Sequence, residues 1–201
     1  MKSNYRLIAR AYATCEKLVF GSALQRCRTA FITELPQNIL SVGEGDGRFS
    51  QALLQARPDI RLQIIEPDAA MRAESLKRNP DLTFVTSETA SPCDAIVLNF
   101  VLDLFTKEEA ETFLGQLPTS QALIVGDFFP SETQGNIRRR AAHYLVWIMY
   151  RFFGLTTGLK TNSLPPTHEI LTSQGWILRE EHTQWTGFIR AQWWEKPAIK
   201  G

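Results

Sequence analysis

The segment Ile39-Leu-Ser-Val-Gly-Glu-Gly-Asp-Gly-Arg-Phe49 constrains this chain more than any other stretch of it. Its apolar start (Ile39, Leu40, Val42) reads as a buried strand, and Arg48 to Ala56 reads as a helix. Between them glycine alternates at Gly43, Gly45 and Gly47. Glycine tolerates positive φ and lets a ligand come close to the backbone, so a strand-to-helix turn of this kind is a cradle faced by helix amides. Roughly 20 residues further on, a second apolar strand, Arg61 to Ile65, ends at Glu66. A carboxylate there is placed to accept hydrogen bonds from both hydroxyls of a ribose, as in nucleotide-binding βαβ units. Together the two features predict a nucleoside-containing cofactor. The other reading of Glu66 is a solvated residue capping the next helix.

Spacing narrows the choice of cofactor. A dinucleotide site wants G-x-G-x-x-G, but the third position is Arg48 counted from Gly43 and Ser50 counted from Gly45. A P-loop is excluded because no Gly-Lys-Ser/Thr follows the glycines. The G-x-G-x-G form resembles motif I of the class I S-adenosylmethionine-dependent methyltransferases. The forty or so residues before the first strand agree with the N-terminal helices that members of that family place over the cofactor.

At 201 residues, the chain suits a single domain with a full-sized core. Its 22 basic residues nearly balance 21 acidic ones, so there is no global field to attract nucleic acid, and none is expected as a partner. Cys15, Cys27 and Cys93 are odd in number and lack CxxC spacing; they read as reduced thiols of a cytoplasmic protein. His143, His168 and His182 stand far apart with no cysteine pair beside them, so no metal site is expected. Near the N-terminus the apolar run Leu7-Ile-Ala9 is broken by Arg10, unlike a secretory leader.

Along the chain, Asn4 to Ile32 reads as two helices broken near Gly21-Ser22. After the glycine turn come a strand from Ile60 to Ile65, a helix from Ala69 to Arg78, and a short third strand from Leu82 to Val85. Asp94 to Asn99 is a fourth strand, Lys107 to Gly115 a helix capped by Thr106, and Gln121 to Asp127 a fifth strand. A long helix from Gly135 to Phe153 and a shorter one after Pro165-Pro166 follow. Trp176 to Thr183 and Phe188 to Glu195 then read as an antiparallel hairpin turned through Trp185-Thr186-Gly187. The expected fold is an α/β, doubly wound, Rossmann-like sheet, mostly parallel and closed by that hairpin. The class I methyltransferase resemblance makes the strand number seven. Residues 1–36 are the expected helical cover, 38–130 the cofactor core, and 131–201 the acceptor side.

The resemblance implies roles residue by residue. Gly43, Gly45 and Gly47 match the loop beneath the methionine portion of S-adenosylmethionine, and Glu66, followed by Pro67, matches the ribose-binding acid. Two positions depart from the pattern. Ser41 stands where the family often has an acidic residue, and Glu44 either compensates for it or faces solvent. After the third strand, Glu88 is the nearest match to an adenine-contacting acid. Asn99 and Phe100, at the carboxyl end of the fourth strand, are expected to line the cofactor. Asp103 reads either as a residue within reach of the substrate side or as a helix-start or packing residue. Asp127 either caps the next turn or acts at the site, and His143 is a base candidate or a histidine packed on a helix. His168 and His182 are weaker candidates.

The expected function is methyl transfer to a small, apolar or aromatic acceptor. The alternatives are a non-catalytic S-adenosylmethionine- or nucleoside-binding protein and an NAD(P)-dependent oxidoreductase, the latter opposed by the absence of a Tyr-x-x-x-Lys pair. The stretch from Arg138 to Gly154 reads either as an amphipathic cover with peripheral membrane contact or as a core helix with a basic start. Adjacent Trp193 and Trp194 point to opposite faces of a strand and suggest a homodimer contact.

Overall fold

The computed structural model describes residues 20–129 and 164–197. The long helix expected over 135–153, His143 and most of the first N-terminal helix lie outside these residues. A six-stranded sheet organises the rest, in the order β2-β1-β3-β4-β6-β5. Its strands are β1 (Asn38–Val42), β2 (Arg61–Ile65), β3 (Ala95–Asn99), β4 (Ala122–Phe128), β5 (Ile177–Gln184) and β6 (Ile189–Glu195). The first four pair in parallel, and β6 pairs antiparallel with both β4 and β5. The hairpin therefore inserts its last strand into the sheet, as expected.

Helices cover both faces. Helices α1 (Ala23–Arg28) and α2 (Arg48–Ala56) bury Leu24, Cys27, Phe49 and Leu53 against Ile39, Val97 and Ile124. On the opposite face α4 (Lys107–Gln116) and α5 (Thr167–Ser173) bury Ala110, Leu114, Ile170 and Leu171 against Leu40, Leu98, Leu123 and Trp194. Strand alternation sends neighbouring side chains into these two cores, which is why β3 is apolar up to Asn99 and β4 is buried along its whole length. Thr106 and Glu109 form a reciprocal capping box at the start of α4. Trp193 packs edge-on against Phe31, with ring centres 5.6 Å apart, while Trp194 is 1% exposed in the opposite core. The two rings thus point into opposite cores, with Trp193 only partly buried.

One expected strand does not form. Leu82 to Val85 makes only a single parallel bridge, Phe84 to Ile64, so the described sheet has six strands rather than seven. Between the bend at Asn79-Pro80 and the turn at Thr86 to Thr89, only the Ile64 amide to Thr83 (3.2 Å) and the Val85 amide to Ile64 (2.8 Å) are bonded across the edge.

Candidate functional site

All three loop glycines adopt the left-handed conformation, with φ of 71°, 67° and 83° at Gly43, Gly45 and Gly47. They serve different ends. A Cβ at Gly43 would lie 2.6 Å from a Val101 methyl, and one at Gly47 would lie 2.8 Å from the Ser75 Cα. At Gly45 nothing stands within 4 Å of that position. The outer glycines let neighbouring elements close on the turn, and the middle one faces open space.

Side chains hold this loop in place. The Gly45 amide donates to Glu66 Oε2 at 2.8 Å, and its carbonyl accepts from Ser75 Oγ at 2.7 Å. Ser75 lies on α3 (Ala69–Arg78), and one turn further Arg78 Nε donates to the Asp46 carbonyl at 2.8 Å. The Asp46 carboxylate pairs with Arg48 at 2.9 Å and Arg78 at 3.2 Å. Sequence reasoning missed Ser75 and Arg78. Their i, i+3 spacing on the helix after Glu66 is the signal that puts both on one face, toward the loop.

Glu44 is not a solvent-facing loop residue. Its Oε1 accepts from the Ser50 amide at 2.8 Å and its Oε2 from Ser41 Oγ at 2.7 Å. Gly47 is the N-cap of α2 and has no side chain, so Glu44 caps that helix from three residues upstream. Ser41 is the donor that this buried carboxylate needs, and an acid at 41 would repel it. Burial raises the Glu44 pKa above the ordinary carboxylate value, opposed by the bonds from Ser41 and Ser50.

Glu66 is 8% exposed. Besides Gly45 it accepts from the Asp68 amide at 2.9 Å. Burial raises its pKa, and the two amide bonds oppose that rise. Asp68 caps α3 by accepting from the Ala70 and Met71 amides, each at 2.9 Å, so the helix-capping role considered for Glu66 belongs to Asp68. Pro67 between them is exposed.

At the carboxyl end of β3, Asn99 carries a buried Nδ2 with no hydrogen-bond partner among the described residues. Phe100 follows at φ 58°, its amide donating to the Gly126 carbonyl at 2.6 Å. Asp127 is turned into the protein. It accepts from the Phe128 amide at 2.7 Å and the Asp103 amide at 3.1 Å, tying down the 3-10 turn Leu102–Leu104. Burial first, then the charge of Asp103, raises its pKa well above the ordinary range. Cys27, buried beside Gly126, has its thiol pushed up to about 12 by burial. Glu88 stands exposed in the 86–89 turn, held by Thr86. The His168 ring packs edge-on to Trp194, while His182 lies 3.1 Å from Glu180 with its ring against Phe31.

The structure thus brings the glycine loop, Glu66 and Asn99 together along the carboxyl ends of β1, β2 and β3, the edge where open α/β sheets bind ligands. The open position at Gly45 and the unpaired Asn99 donor fit a polar nucleoside-type ligand.

No protein-family model and no curated protein sequence matches this chain. Solved structures do. The O-methyltransferase family 2 protein of Planctomyces limnophilus, solved in complex with apigenin, superposes with a TM-score of 0.67 at 15% identity, over 98% of this chain and 63% of that one. The mitomycin 7-O-methyltransferase MmcR gives a TM-score of 0.63 at 14% identity, over 88% of this chain and 55% of that one. The methyltransferase domain of bacterial CtHen1-C gives 0.58 at 14% identity, over 87% of this chain and 97% of that domain. This chain spans about three-fifths of the length of the O-methyltransferases it resembles. Its fold is that of the class I S-adenosylmethionine-dependent methyltransferases.

Proposed function

We propose that the chain is an S-adenosylmethionine-dependent methyltransferase acting on a small, apolar or aromatic acceptor. The observation that carries this reading is the join between the glycine loop and Glu66. The middle glycine faces open space while its amide is bonded to the carboxylate that ends β2. The outward lone pairs of Glu66 would accept from the ribose hydroxyls, each such charge-assisted bond contributing about 1.5–3 kcal/mol. Asn99 Nδ2 would donate to an acceptor atom of the same ligand.

When bound, S-adenosylmethionine supplies a methyl group on a sulfonium: the acceptor's lone pair forms the new bond to carbon, and the carbon–sulfur electron pair returns to sulfur. The chain's own part is to hold donor and acceptor in line. Such positioning lowers a barrier by up to roughly 7–11 kcal/mol in ideal cases. Asp127 is engaged in structural bonds and makes a poor base in this arrangement.

The test is incubation with methyl-labelled S-adenosylmethionine and a panel of phenols, amines and thiols. Label transfer to one class supports the proposal. Cofactor binding with no transfer to any of them would favour the binding-protein reading.

A further inference from the structure

Past the end of β4 lies a cavity of about 680 Å³, a size common among small-molecule sites. Phe129 and Thr167, both buried, and half-buried Arg190 line it, together with His168, Glu169 and Thr172, which are exposed. Strand register fixes its place relative to the glycine edge. Asn99 pairs with Gly126 of β4, and the next β4 residue, Asp127, pairs with Arg190 of β6. Arg190 therefore stands two strand spacings, about 10 Å, from Asn99 along the same edge of the sheet.

A polar network holds Arg190 in position. Alternation along β6 puts Arg190, Gln192 and Trp194 on one face. Gln192, fully buried, accepts from Trp194 Nε1 at 3.0 Å and donates to Glu181 Oε2 at 2.6 Å. The same Glu181 oxygen lies 3.5 Å from Arg190 Nη1, too long for a strong bond, so it orients the guanidinium without neutralising it closely. Arg190 Nε donates to the Gly187 carbonyl at 2.7 Å, and the guanidinium carbon lies 5.3 Å from the centre of the Phe129 ring. Nη2 makes no hydrogen bond among the described residues. The acid on the cavity wall, Glu169, is bonded to Lys107 at 2.5 Å, which offsets its charge.

We propose that this cavity holds the acceptor, and that the acceptor is a small organic acid whose carboxylate is taken by Arg190 and whose apolar body lies along Phe129. The proposal rests on the methyl-transfer reading for calling the ligand an acceptor. A guanidinium is a planar fork of donors that matches a carboxylate, and such charge-assisted bonds are roughly twice as strong as neutral ones. Partial burial strengthens the attraction further, because little water is left to screen it. An amide of the same shape offers one neutral oxygen and gains neither.

The experiment is calorimetric titration of the full chain with 4-phenylbutanoate and with its neutral amide, 4-phenylbutanamide, beside a titration with S-adenosylmethionine. Wild type is expected to bind the carboxylate at least about tenfold more tightly than the amide. Arg190→Gln should abolish that preference and leave S-adenosylmethionine affinity unchanged, while Arg190→Lys should keep part of it. The ratio of the two affinities within one variant reports charge recognition, which a merely structural role for Arg190 would not move. Thr172→Trp, at an exposed position on the cavity, serves if Arg190→Gln fails to fold. It should weaken 4-phenylbutanoate about tenfold with S-adenosylmethionine affinity and melting temperature unchanged. Equal affinity for the two probes, binding of neither, or a preference that survives Arg190→Gln overturns the acid-binding cavity. An Arg190-dependent preference in a protein that does not bind S-adenosylmethionine would keep the cavity and overturn methyl transfer.

Discussion

At the scale of single residues, the three glycines are expected to respond differently to the same substitution. Gly47→Ala drives a Cβ to 2.8 Å from the Ser75 backbone at φ 83°, so it should destabilise the fold by at least about 2 kcal/mol in denaturant unfolding. Gly45→Ala meets no protein atom, so its stability cost should be about 1 kcal/mol from the left-handed backbone alone. That methyl group would instead occupy ligand space, and S-adenosylmethionine affinity should fall more than about tenfold. Ser41 makes a second test. Ser41→Asp sets two carboxylates where Ser41 Oγ and Glu44 Oε2 now share a 2.7 Å bond, and should cost about 3 kcal/mol at neutral pH. Adding Glu44→Gln to that variant should recover most of the loss; a simple sum of the two effects would contradict the pairing. The glycine loop and the acid ending β2 were legible in sequence because backbone conformation and strand ends leave residue-type signatures. The Ser41–Glu44 pair was not, since a carboxylate reaching back to cap a glycine-started helix depends on the path of the loop.

At the scale of elements, the buried acids make stability depend on pH in an unusual direction. Glu44, Glu66 and Asp127 all have pKa values raised by burial, from ordinary values of 4.5 for Glu and 3.8 for Asp. The folded state therefore keeps these protons to higher pH than the unfolded state does. Their stabilising contribution is present below the ordinary values and is lost as pH rises through the raised ones. Asp103→Asn removes the charge that helps to raise the Asp127 pKa, so denaturant unfolding should show a shallower loss of stability above about pH 4. An unchanged slope would mean that burial alone governs Asp127. Patterning gave α2 and α3 their limits because each has clear breakers at its ends. It overread Leu82 to Val85, since an apolar run of that length says nothing about whether its partner edge offers more than the two hydrogen bonds made at Ile64. Asp103 meeting Asp127 was likewise beyond the sequence, because the contact joins a turn after β3 to the end of β4.

For the whole molecule, sheet order brings an acid, a glycine loop and Asn99 to one edge, across the carboxyl ends of β2, β1 and β3. Among the described residues, no helix is long and apolar enough to cross a membrane. Because the loop is already held by Glu66, Ser75 and Arg78, ligand binding should stabilise the fold by mass action with little rearrangement. At about a hundredfold excess over Kd, S-adenosylmethionine should raise the melting temperature by roughly 5–10 °C. No shift at that excess would mean that the ligand misses the native state. Calorimetric titration with S-adenosylmethionine and NADH, on wild type and Glu66→Ala, tests the central claim most directly. The account predicts micromolar binding of S-adenosylmethionine, no binding of NADH, and at least about tenfold weaker S-adenosylmethionine binding in the variant. Wild-type affinity in Glu66→Ala would contradict the ribose assignment, and no binding of S-adenosylmethionine at all would contradict the proposed function.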